Sequence, residues 1–266
     1  MKINNIIYKL ICTSLFFVLL SISDKSFAFT VIPAKIELSS TANSQETFSI
    51  RVRNDEGQKV VISSYSWDWA LNKNGIYESR PIGGFDYSLA KQIKTLKSKI
   101  YLEPHEMKEI FFTITVPDDI KGEKQALIYI QSTPDVKTKS GENIIFSTNI
   151  SVPVYLKIKG TELVKSRIKD IEIKEATQKE PFTVLLNVVN EGNVHVKSSA
   201  SISILSGNYS LFIGTMKTNS QLILPKREKQ LKAELDRDFT PGKYKALITY
   251  QFDDKYVVVE KPFEIK

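Results

Sequence analysis

The residues able to do chemistry are few. The chain of 266 residues has two histidines, His105 in the turn-like run EPHEMKE and His195 on the alternating run NVHVK. A catalytic or metal-binding histidine works with fixed neighbours, yet the sequence holds no HExxH, no GxSxG and no glycine-rich phosphate loop. A lone histidine on a strand reads as structural. Asp118 and Asp119 could be imagined as paired acids for glycoside cleavage. Within VPDDIKG they read as turn residues instead, and the two aspartates of LDRDF (Leu235 to Phe239) lack the remaining ligands of a calcium loop. The single cysteine, Cys12, lies near the N-terminus, so the rest of the chain has neither disulfide nor thiolate chemistry. These residues predict a non-enzymatic protein with no catalytic residue, no metal site and no cofactor.

The strongest pattern is one of binding. From Asn143 to Ile158, Ile144, Phe146, Thr148, Ile150, Val152, Val154, Leu156 and Ile158 alternate with mostly polar or small residues. A period of two held this long describes a β-strand with one buried and one wet face. Pro153 has no backbone N–H and cannot sit between two neighbours in a ladder without breaking it, which predicts an edge strand. A long edge with an apolar stripe is a template for another chain.

Export is expected. Lys2 and Lys9 precede an apolar run from Leu10 to Ile22, and Ser26, Phe27 and Ala28 supply a signal-peptidase site, so residues 1–28 read as a cleaved signal peptide. The run is too short to stay as a membrane anchor. A net charge of +7 is spread along nearly every segment, without the gathered basic face and aromatic platforms of a nucleic-acid binder.

The elements around the stripe repeat. FSIRVRNDEGQKVVISS in the first half matches FTVLLNVVNEGNVHVKSS in the second, and Leu102 to Ile130 matches Leu224 to Tyr250. Short strands, frequent turns and about a hundred residues per repeat point to an all-β protein of two tandem immunoglobulin-like β-sandwiches. The expected domains are 29–160 and 161–266, joined through KGTELVK (Lys159 to Lys165). The first repeat is longer by an insertion between Asn72 and Ser98, where SLAKQIKTLK could form a short helix with Lys91, Lys94 and Lys97 on a solvated face. Tyr65, Trp67 and Trp69 share one strand face and read as core or junction packing rather than a ligand platform.

With these motifs in hand, the chain resembles the periplasmic chaperones of the chaperone–usher pilus pathway. The likeness rests on TVIPAKIEL, the NDEG turn, VPDDIKGEKQALIYIQSTP and the ending VPVYLKIKG, and covers most of Phe29 to Gly160. It implies capture of pilin-like subunits by strand donation through Ile144, Phe146, Ile150 and Val152, an outer-membrane usher as a further partner, and a periplasmic location. It also implies that Lys35 helps to anchor a subunit's C-terminal carboxylate. The second basic residue of that anchor, due near Asn149 and Ile150, is missing. WALNKNGIYES and the segment from Ser88 to Pro117 are similar to the peptidoglycan-binding module of WxL-interacting surface proteins, which implies a secreted or cell-surface module instead.

Overall fold

A computed structural model describes residues 29–71, 77–84, 86–136, 145–207 and 211–266. The expected signal peptide and Ile144 lie outside the described residues. Two β-sandwiches follow one another. The first uses β1 (Phe29–Ile32), β2 (Ile36–Ser40), β3 (Ser44–Asn54), β4 (Val60–Leu71), β5 (Tyr77–Arg80), β6 (Ile93–Thr95), β7 (Lys99–Leu102), β8 (Met107–Val116), β9 (Glu123–Pro134) and β10 (Thr148–Ile158). The second uses β11 (Ser166–Lys174), β12 (Phe182–Asn190), β13 (Val196–Ser206), β14 (Leu211–Lys217), β15 (Gln221–Ile223), β16 (Glu228–Leu235), β17 (Gly242–Phe252) and β18 (Lys255–Ile265).

The first sandwich packs the sheet β1-β3-β8-β6 on the sheet β2-β10-β9-β4-β5, with β7 also paired to β4. Its core takes alternate residues of both sheets, among them Ile50, Val52, Val60, Ile62, Phe112, Ile114, Ile128 and Ile130. The second packs β11-β12-β16 on β14-β13-β17-β18, with β15 on β13. Its core is built the same way around Phe182, Val184, Ile202, Ile248 and Tyr250.

The internal repeat extends to single hydrogen bonds. Asn54 ends β3 and is fully buried, and its Nδ2 donates to the carbonyls of Gln58, Leu102 and Glu103 while Oδ1 accepts from Glu56 N–H. Asn190 ends β12, equally buried; its Nδ2 donates to the carbonyls of Val194 and Ile223 and its Oδ1 accepts from Gly192 N–H. A side chain with both donor and acceptor is what a buried turn between two strands requires, because each main-chain group there must find a partner.

The insertion departs from the expected helix. Only one turn of 3₁₀ helix forms, at Ala90–Gln92, and the chain then enters β6 beside β8. Leu89, Ala90 and Ile93 are all buried against the sandwich, and Ile93 is already extended and opens the ladder with β8, which ends the helical turn. Asp68 organises this region: its fully buried carboxylate accepts from Gly83 N–H, Ser88 Oγ and Ala90 N–H.

Candidate functional site

Strand β10 has two halves with different neighbours. Along Thr148–Lys157 it pairs with β9 on one side. On the other side β2 runs parallel to it, but only from Val154 to Ile158. Among the described residues, Thr148 to Pro153 therefore present an unpaired edge. The cause lies at the start of the chain, where β1 pairs with β3 in the opposite sheet up to Ile32. Pro33 cannot donate to that ladder, and the chain crosses there to join β10 as β2. Pro153 is the last β10 residue without a β2 partner, a place where a missing N–H costs no ladder bond on that side.

The apolar stripe divides in the same way. Val152, Val154, Leu156 and Ile158 are at most 1% exposed and belong to the first sandwich's own core. Val152, expected to face a partner, is corrected to a core residue. Ile150 is partly buried at the margin of that core. The strand starts at Thr148 rather than Asn143, and Phe146 precedes it outside any strand with 82% of its surface exposed beside half-exposed Ile145. Alternation extended the expected strand because Phe146 keeps the parity of Thr148 and Ile150, but the ladder with β9 begins only at Thr148, opposite Ser132.

Lys35 stands one residue before Ile36, which pairs with Val154, so it lies at the inner end of the open edge. Its Nζ donates to Glu37 Oε1 at 2.8 Å, with both side chains about half exposed. That bond holds the Glu37 carboxyl below the usual carboxylate range, against the opposing effect of partial burial. Among the described residues, no three His, Cys, Asp or Glu side chains could together hold a metal ion. No described helix is long and apolar enough to cross a membrane.

The outward face beside β10 is aromatic. Trp69 on β4, Leu127 on β9 and Tyr155 on β10 point away from the first core and are nonetheless buried, because Leu224 of the second sandwich packs on them. Trp69 meets Tyr155 edge to face at 6.3 Å. Further along the same face Tyr65 stacks on Tyr129 at 5.3 Å and stays 43% exposed, while Tyr129 OH bonds Ser79 Oγ. His195 closes the junction. Its Nδ1 lies 2.7 Å from Oε2 of buried Glu123, its Nε2 lies 3.7 Å from Glu37 Oε1, and its ring rests on Tyr155. Sequence reading found the aromatic residues but not Glu123 or Asp68, since nothing in spacing marks a carboxylate as buried.

No family model matches the sequence, and no curated protein is similar to it in sequence. Solved structures similar to it include several chaperones and a PapD-like domain of human CEP192. The class 5 fimbriae chaperone CfaA has 14% identity and a TM-score of 0.48, over 88% of this chain and 99% of that one. Chaperone CupB2 of Pseudomonas aeruginosa has 10% identity and a TM-score of 0.42, over 89% and 100%. The E. coli chaperone DraB has 14% identity and a TM-score of 0.42, over 90% and 96%.

Proposed function

We propose that this chain is a non-enzymatic periplasmic chaperone that captures a pilin-like fibre subunit by β-augmentation at the open half of β10. The observation that supports the reading is the unpaired edge Thr148–Pro153, preceded across Ser147 by exposed Ile145 and Phe146. Main-chain groups on such an edge supply a ladder in register, and side chains beside it supply selectivity. Ile150, at the rim of the core, would meet the apolar side chains of the incoming strand, and Lys35 stands where a chain end laid along the edge would stop. An outer-membrane usher is the further partner that this role implies.

Phe146 is the residue to test. Burying an aromatic side chain that is now exposed contributes roughly 1.5–3 kcal/mol, or about 10- to 150-fold in Kd. The Phe146→Asp protein should lose capture of its co-expressed subunit in a pull-down while melting as the parent does. Undiminished capture would end the proposal.

The half-exposed Tyr65–Tyr129 stack supports a second reading, a cell-surface module that stacks these rings on cell-wall glycan. Binding to purified cell-wall sacculi that Tyr65→Ala abolishes and Phe146→Asp leaves intact would favour it.

A further inference from the structure

The segment joining the sandwiches, KGTELVK, has the composition of a loose linker, and Gly160 adopts a left-handed φ of 79° in open space. The following residues are nevertheless stitched to the second sandwich. Leu163 N–H donates to Asn193 Oδ1 and Leu163 O accepts from Asn193 N–H. Lys165 O accepts from the N–H groups of both Glu191 and Gly192. The approach is so close that a Cβ on Gly192 would collide with Leu163 O.

Asn193 also reaches the first sandwich. Its carbonyl accepts from Glu123 N–H, the first residue of β9, at 2.9 Å. Its Nδ2 donates to Thr161 O at 2.9 Å. Thr161 Oγ1 in turn accepts from Gly122 N–H and donates to Ile158 O, both at 2.8 Å. Gly122 has a φ of 68°, and an added Cβ there would press on Asn193 at 2.7 Å. All four polar groups of one residue are therefore spent on the linker and on the opposite sandwich, and each bond fixes a different direction.

We propose that Asn193 sets the angle between the two sandwiches, so that the joint after Gly160 is rigid and not a hinge. The inference is independent of what the chain captures. It concerns which part of the outer sheet face stays open: at this angle Leu224 covers Trp69, Leu127 and Tyr155, and leaves Tyr65 half exposed. Asn193 acts as a positioning residue through Thr161 and Glu123.

Inter-domain distances test it directly. In the protein from Phe29 onward, which has no cysteine of its own, spin labels at Lys94→Cys and Lys243→Cys, both exposed and one in each sandwich, should give a single narrow distance distribution. Asn193→Ala should at least double its width. Asn193→Asp keeps the acceptor for Leu163 N–H and loses the donor to Thr161 O, so it should fall between the two. A broad distribution in the parent, or an unchanged width in Asn193→Ala, would overturn the proposal. Should Asn193→Ala fail to fold, Asn193→Asp and Thr161→Val decide the matter, and the proposal falls if neither widens the distribution.

Discussion

Glu123 Oε2 of the first sandwich and His195 Nδ1 of the second lie 2.7 Å apart, with both side chains almost wholly buried. A carboxylate removed from water is tolerable only beside a group able to donate to it. His195→Ala removes the imidazole beside Oε2, keeps the main-chain N–H of residue 195 that donates to the same oxygen at 3.4 Å, and should cost about 1–3 kcal/mol in chemical denaturation. In a Glu123→Gln background the same substitution should cost clearly less, giving a measurable coupling in a double-mutant cycle. Equal costs in the two backgrounds would mean that the pair does not interact.

The sequence made the strands, the two-fold repeat and the turn asparagines readable, because period-two alternation and turn chemistry are local. What was hidden depends on contacts distant in the chain. Val152 and Phe146 look alike in sequence, yet one lies between β9 and the facing sheet while the other precedes the strand altogether. Trp69 reads as core or junction packing, and what makes it the junction is the second sandwich, which supplies Leu224 from more than a hundred residues away. The insertion misled for a related reason: helical spacing in SLAKQIKTLK is real, but the pairing of Ile93–Thr95 with β8 and the Asp68 carboxylate that takes the Ala90 N–H override it.

The two members of the stripe should separate under heat. Phe146→Asp changes a residue that touches little and should stay within about 0.5 kcal/mol of the parent. Val152→Asp puts a carboxylate into a fully buried apolar site and should prevent folding or lower the melting temperature severely. Comparable melting of the two variants would contradict the division of β10 into an open half and a core half.

Asn54→Ala and Asn190→Ala should each be costly for the same reason, since each leaves two or more buried main-chain groups without a partner. At about 1 kcal/mol or more per orphaned group, a loss of about 2–4 kcal/mol is expected from each in urea titration. The sites are in different sandwiches, with no shared partner, so the double variant should lose close to the sum. A large deviation from that sum would indicate that the two turns communicate through the joint.

Acid should weaken the joint through Glu191. Its carboxyl is held below the usual carboxylate range, first by the hydrogen bond from Lys165 and then by that from Arg167, which tie the end of the linker and the start of β11 to the turn after β12. A carboxyl with a lowered folded-state pKa contributes stability that is present above its ordinary value and is lost as pH falls through the lowered one. Glu37, lowered chiefly by Lys35, adds to the same trend. Melting temperature should therefore drop on the acid side, and Glu191→Gln should flatten that limb: the variant melts below the parent at neutral pH and converges with it in acid. Because these ion pairs lie at the surface, added salt should shrink the neutral-pH gap as well. A gap that stays constant from neutral to acid pH would show that Glu191 acts by packing and not by its charge.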